Sequence, residues 1–244
     1  MARLRGRAPR PGPRVVRPPG AAVRPLTDLR RRTITGLGYA IVVLAAAFAP
    51  PIVFTALVAV GGGVALVELW QLRGARVAAW LELVVLFSGL AALAYLRELG
   101  DRGAAHGAAA GLPVWLLLAV GTTWAADVGA YATGSLWGRK KIVPRISPGK
   151  TWEGTFGGFG AAALAVLGIA ALFGLGRPEA AVAALTIGPI AFAGDLLESW
   201  LKRRAGVKDS GALFPGHGGM LDRIDSLLAV APLVVLLTVA AGLG

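Results

Sequence analysis

Seven apolar stretches run through this chain, at Ile34–Ala49, Ile52–Leu72, Val77–Leu96, Leu112–Trp137, Thr155–Leu175, Ala180–Leu201 and Ile224–Leu243. A helix rises about 1.5 Å per residue, so about 20 such residues cross a hydrocarbon core of about 30 Å. Backbone groups find no water there and must pair within the segment, which favours helices. The expected fold class is therefore all-α: a polytopic transmembrane helix bundle of about seven spans. The first stretch is slightly short. Fused to the second it would make a helix of roughly 58 Å, so Pro50-Pro51 is expected to form a hairpin between two spans. Composition agrees, with 56% of residues hydrophobic and 16% charged, against roughly 25% charged in a soluble domain.

There is no cysteine. Disulfides, thiolate metal sites and cysteine nucleophiles are excluded. His106 and His217 are the only histidines, which excludes a multi-His site, so a metal must be held mainly by oxygen.

The net charge of +12 belongs mostly to one end. Residues 1–33 hold ten arginines against Asp28 alone, leaving only +3 for the rest of the chain. This Arg/Pro-rich segment reads as a disordered cytoplasmic tail that touches anionic lipid, and it gives no support to nucleic acid as a partner. With the tail inside and the spans alternating, cytoplasmic segments hold 22 Lys and Arg, against Arg97, Arg102 and Arg177 outside. That asymmetry predicts a multi-pass cell-membrane protein with a cytoplasmic N-terminus and an external C-terminus. Residues 34–111 are then expected to form N-terminal transmembrane helices and residues 112–244 a second transmembrane region. The glycine runs Gly61-Gly62-Gly63 and Gly157-Gly158-x-Gly160 are expected to let helices pack closely.

Acids in or near apolar spans carry the most information. Glu68 and Glu82 flank the short segment at Arg73 and Arg76 and are expected to pair with those arginines or snorkel. Asp127 lies within its span, with Tyr131 and Gly134 further along. Asp195, Glu198, Ser199 and Lys202 stand at i, i+3, i+4 and i+7, one helix face. That face runs into a segment with Lys202, Arg203, Arg204, Lys208, Gly211, Pro215, Gly216, His217, Gly218 and Gly219, closed by Asp222-Arg223-Ile224-Asp225. Basic groups beside glycines suit a phosphate-bearing ligand, and carboxylates beside them suit Mg²⁺. Interhelical salt bridges account for the same spacing. Residues 138–154 are a second basic loop. Its Gly149-Lys150-Thr151 is not a P-loop, since Pro144 stands where the first glycine belongs and no strand is expected before it.

From Ser199 to Asp225, the pattern Ser199-Trp200-Leu201-Lys202-Arg203, Lys208-Asp209, Gly211, Phe214-Pro215, His217-Gly218-Gly219-Met220 and Asp222-Arg223-Ile224-Asp225 resembles the signature of the phosphatidate cytidylyltransferase (CDP-diacylglycerol synthase) family. Asp127–Gly134, Ser147–Gly154 and Gly194-Asp195 also resemble family segments, so the likeness spans roughly residues 120–244. It implies Mg²⁺-dependent transfer of a cytidylyl group from CTP to phosphatidate, giving CDP-diacylglycerol and pyrophosphate in phospholipid biosynthesis. On this resemblance the catalytic candidates are Asp195, Lys202, Asp222, Arg223 and Asp225. The substrate-binding candidates are Asp127, Tyr131, Ser147, Lys150, Arg203, Lys208, Asp209, His217, Gly218 and Gly219. The metal candidates are Asp195, Asp222 and Asp225. Membrane lipids are expected partners, and a homodimer stays open. Two other readings stay open too: an ion-coupled transporter, and the same transfer to a different lipid phosphate.

Overall fold

The computed structural model describes residues 25–72, 76–101, 112–213 and 218–242. They form seven helices: α1 (Pro25–Phe48), α2 (Pro51–Gln71), α3 (Arg76–Asp101), α4 (Val114–Trp137), α5 (Trp152–Phe173), α6 (Arg177–Arg204) and α7 (Leu221–Ala240). Six of them, α2 to α7, are long and apolar enough to cross a membrane; the apolar part of α1, Ile34–Phe48, is shorter. The chain is thus a multi-helix membrane protein. The Pro50-Pro51 break falls where expected, with Pro51 in the first turn of α2, where a missing N–H costs nothing.

Two expectations about local structure are corrected. Helix α1 begins at Pro25, so the segment expected to be disordered up to residue 33 is helical over its last turns. A proline tolerates the first helical turn and ends no helix there. Residues 1–24 lie outside the described residues. The second correction concerns residues 138–154, expected as a loop without strands. They contain an antiparallel hairpin of β1 (Lys141–Val143) and β2 (Ser147–Thr151), with Lys141 opposite Thr151 and Val143 opposite Ser147. Gly149-Lys150-Thr151 is extended strand, not a loop wrapped around a phosphate, so the P-loop is excluded for a stronger reason than the missing glycine.

The hairpin is pinned at its base. Thr151 caps α5 by accepting from Gly154 N at 3.1 Å, and Trp152 N donates to Lys140 O at 2.9 Å. Glu153 accepts from the backbone N of Arg139 at 3.1 Å. The reading frame from strand into α5 is therefore fixed, which fixes where Lys150 points.

Helix α5 packs most extensively on α4. A Cβ at Gly157 would strike Thr133, and one at Gly158 would lie 2.8 Å from Ala126 O, so these glycines set the close approach. Gly62 likewise faces Leu90, and Gly61 faces Met220. Gly63 and Gly160 have nothing within 4 Å and play no such part, because helical rotation turns them away from the contact. The main core joins α1 to α7 around Leu96, Leu116, Ile187, Val230 and Val234. A second cluster, with Ala65, Leu86, Leu201, Leu221 and Leu228, lies beneath the ends of α2 and α6 and the start of α7. The site is built on that end of the bundle.

Candidate active site

The last turns of α6 carry Asp195, Glu198, Ser199 and Lys202 on one face, as their spacing requires. Ser199 Oγ donates to Asp195 Oδ1 at 3.3 Å, and Lys202 Nζ donates to Glu198 Oε2 at 2.5 Å. Lys202 also pairs with Asp222 at the start of α7. One buried ammonium thus joins carboxylates from two helices that would otherwise repel each other.

Asp222 has four protein donor groups within reach, one of them the Ser210 hydroxyl that it shares with Glu68. Lys202 takes Oδ1, while Ser210 N (3.0 Å), Ser210 Oγ (3.0 Å) and Gly219 N (2.7 Å) converge on Oδ2. A carboxylate offers about four lone-pair sites, and the crowding at Oδ2 leaves space beside Lys202 only at Oδ1. Gly218 has φ +84°, and a Cβ there would collide with the Asp222 carboxylate. Glycine is required twice over at that position.

Strand β2 delivers Lys150, whose Nζ lies 2.5 Å from Asp195 Oδ2 and 4.6 Å from the centre of the Phe192 ring. The ring face and the carboxylate together hold the ammonium. Asp225, one turn after Asp222, accepts from Ser226 N at 2.6 Å. Asp127 makes no hydrogen bond or ion pair with a described residue. Neither does Arg223, which is exposed.

These side chains line adjoining cavities. A cavity of about 300 Å³ is walled by Asp127, Tyr131, Lys150, Thr151, Phe192 and Asp195, with small residues of α4 and α5. A polar cavity of about 320 Å³ shares Asp127 and Asp195 with it and adds Glu198, Lys202, Asp209, Asp222, Arg223 and Asp225. A third, of about 330 Å³, lies between Tyr39, Trp124, Asp127 and Arg223. It shares Thr35 and Tyr39 with an apolar cavity of about 420 Å³ between α1, α2, α3 and α7, lined by Val43, Phe54, Leu57, Leu93 and Leu227 among others.

Nine of the expected site residues therefore meet: Asp127, Tyr131, Lys150, Asp195, Lys202, Asp209, Asp222, Arg223 and Asp225. Gly218 and Gly219 frame Asp222. Ser147 and Lys208 line none of these cavities. Arg203 is spent on structure: its Nε donates to Ile146 O at 3.0 Å and its Nη1 to Val207 O at 2.9 Å, tying the hairpin to the end of α6. His217 lies outside the described residues.

Glu68 and Glu82, expected to snorkel or to pair with Arg73 and Arg76, are instead buried; Arg73 and the Arg76 side chain lie outside the described residues. Glu68 is buried and accepts from Ser210 Oγ, Met220 N and Leu221 N. Glu82 is also buried, and its Oε2 has no hydrogen-bond partner among the described residues. The Glu68 carboxylate turns to the start of α7, which supplies two of its backbone donors. An acid inside an apolar span is itself a signal of function. It marks Glu68 but cannot name partners 142 to 153 residues away. Ser210 carried no signal at all.

The polar cavity sets six acids against Lys202 and Arg223. That excess of carboxylate oxygen suits a hard divalent cation, although among the described residues no three acids stand close enough to enclose one.

Comparison with known proteins gives the site its context. The "Cytidylyltransferase family" model matches residues 105–240. A phosphatidate cytidylyltransferase of Brucella suis is 48% identical over 117 residues, covering 46% of this chain and 42% of that protein. One from Pseudomonas aeruginosa is 44% identical over 124 residues, covering 50% and 46%. Protein YnbB of Escherichia coli, uncharacterized, is 44% identical over 154 residues, covering 63% and 49%. The matched part of the chain spans less than half the length of each of these relatives. It includes Asp127, Lys150 and the Ser199–Asp225 signature, and with more than half of its residues matched, the chain belongs to the cytidylyltransferase family.

Proposed function

We propose that this chain transfers a cytidylyl group from CTP to phosphatidate, giving CDP-diacylglycerol and pyrophosphate. The observation that carries the reading is the junction of a carboxylate-rich polar cavity with an apolar one through Tyr39, Asp127 and Arg223. An amphipathic phosphate needs such a junction: a head group among charges and chains among Val43, Phe54 and Leu57. The relatives' names supply the nucleotide and the lipid.

The lipid phosphate attacks the α-phosphorus of CTP, and the bond to the bridging oxygen breaks to release pyrophosphate. A phosphomonoester has its second pKa near ~6, so the nucleophile is already largely ionised and needs no strong base. Catalysis rests on in-line positioning and charge neutralisation. Arg223, which makes no hydrogen bond or ion pair with a described residue and lines two of the cavities, takes a substrate phosphate in this reading. Lys150 is placed to exchange its contact with Asp195 for one with the nucleotide. Tyr131 and Asp127 wall the space between. Asp195 and Asp222 would each lend a carboxylate to Mg²⁺, with Asp225 supporting them from the same cavity; one or two carboxylates suffice when phosphate oxygens and water complete the shell, and the ion would supply positive charge against those oxygens. An acid-lined cavity otherwise repels a triphosphate. The site faces the cytoplasm, where the basic segments gather and CTP is found, with the C-terminus outside.

The test is direct. Purified full-length protein receives phosphatidate, Mg²⁺ and each of four labelled nucleoside triphosphates in turn. The expected result is a labelled liponucleotide and equimolar pyrophosphate with CTP, dependent on Mg²⁺. Label appearing only on another lipid phosphate would replace the acceptor. No labelled lipid with any nucleotide would overturn the proposal.

A further inference from the structure

We propose that Glu68 of α2, outside the family-matched segment, is a positioning residue that holds Asp222 toward the polar cavity by clamping the start of α7. This rests on the reading that Asp222 belongs to the catalytic site. Glu68 lies one turn from the end of α2 and is 6% exposed. Both of its oxygens are used. Oε1 accepts from Met220 N at 2.9 Å; Oε2 accepts from Leu221 N at 2.9 Å and from Ser210 Oγ at 3.0 Å.

The first N–H groups of a helix have no partner within it. The residue preceding α7, Met220, offers no side-chain cap. Glu68 supplies the missing acceptor from a different helix, and its negative charge sits at the positive end of the α7 dipole. Two glycines make the approach feasible, since a Cβ at Gly211 or at Gly219 would collide with the Glu68 carboxylate. A carboxylate merely reaching for the membrane surface would need neither the space nor the three donors.

The same contacts reach Asp222. Ser210 Oγ lies 3.0 Å from Glu68 Oε2 and 3.0 Å from Asp222 Oδ2. Asp222 Oδ2 also accepts from Ser210 N and Gly219 N. Two carboxylates therefore pin together the two ends of the segment between α6 and α7, Glu68 from below and Asp222 from the cavity side. The Ser210 hydroxyl lies between them and gives its single proton to one or the other in turn. Displacing Glu68 frees the first turn of α7, on which Asp222, Arg223 and Asp225 are all mounted.

Glu68→Gln keeps the shape but turns one acceptor into an amide that faces a backbone N–H. Ser210→Ala cuts the link and leaves each carboxylate its backbone donors. Both variants are compared with wild type by turnover, by thermal unfolding, and by amide hydrogen exchange, which needs no substrate. If Glu68 positions Asp222, Glu68→Gln speeds exchange at Met220 and Leu221 but not in α5. It lowers kcat about tenfold or more, with the KM for phosphatidate little changed. Ser210→Ala shows a smaller loss in the same direction. The double variant is little worse than Glu68→Gln alone, because both act through one path. Glu68→Asp, which keeps two acceptor oxygens, recovers part of kcat. Wild-type kcat in Glu68→Gln overturns the proposal. So does a fall in melting temperature with full kcat per folded molecule, which marks a purely structural residue. Should Glu68→Gln fail to fold, unchanged kcat and exchange in Ser210→Ala overturn it, and losses in both support it. If wild type proves inactive while exchange responds as expected, the proposed function falls and the clamp stands.

Discussion

Lys202 lies buried between Glu198 and Asp222, while Lys150 reaches Asp195 across the hairpin. Each proposed metal carboxylate of α6 and α7, apart from Asp225, is thus already neutralised by a protein cation. Salt bridging and metal binding make different demands on these residues. If Asp195 and Asp222 only pair with lysines, Asp222→Asn breaks a buried pair and costs about 3–5 kcal/mol of stability, while Asp195→Asn opens a half-exposed pair and costs about 1 kcal/mol or less. If they hold Mg²⁺, Asp222→Asn and Asp195→Asn remain folded in the membrane and lose about 10³-fold or more in kcat. The double variant is then little worse than either single one, because both act through one ion. Turnover against Mg²⁺ concentration for all three decides. Near-wild-type kcat with unchanged Mg²⁺ dependence in a single variant removes that residue from the metal site.

At the level of elements, the α4–α5 pair sets the spacing of the site. Asp127 and Tyr131 ride on α4; Lys150 rides on the strand that feeds α5. Their separation depends on how closely the two helices approach, and glycine decides that. Gly158→Leu drives a side chain into Ala126 and Ala130 and is expected to cost about 1–3 kcal/mol, the usual range for overpacking. Gly160→Leu, on the same helix, meets open space and is expected to be neutral within about 0.5 kcal/mol. Thermal unfolding in detergent compares them directly, and activity should fall with Gly158→Leu alone. Equal stability of the two variants would show that the interface adapts and does not fix the site.

For the whole molecule, the described basic segments 139–150 and 202–208 lie at one end of the bundle. The hairpin touches the end of α6 through Arg203 and Ile146, and the end of α2 touches the start of α7 through Glu68. The other end joins α3 to the α1–α2 turn, where Arg97 Nη2 donates to Ala49 O at 2.5 Å. The absence of native cysteine makes sidedness easy to measure. Single cysteines at Lys140 and Val207 are expected to resist an impermeant thiol reagent in intact cells, and one at Gly176 is expected to react. External labelling of either of the first two reverses the orientation inferred from charge and moves the site away from cytosolic nucleotide.

The amino-acid sequence determined the membrane class, the break at Pro50-Pro51, the shared face of Asp195, Glu198, Ser199 and Lys202, and the family. Each of these depends on local composition, on helical period or on a contiguous motif, and a linear chain carries such information directly. Only the tertiary structure decided that Lys202 joins Glu198 to Asp222, that Lys150 sits on Asp195 and Phe192, and that Arg203 braces the hairpin. It also turned Glu68 from an expected partner of nearby arginines into a support for α7. Apart from Lys202–Glu198, four positions apart on one helix, those contacts join residues 20 to 153 positions apart. Which side chains meet over such separations depends on how the helices pack and where small residues let them approach, and no periodicity within one segment encodes that.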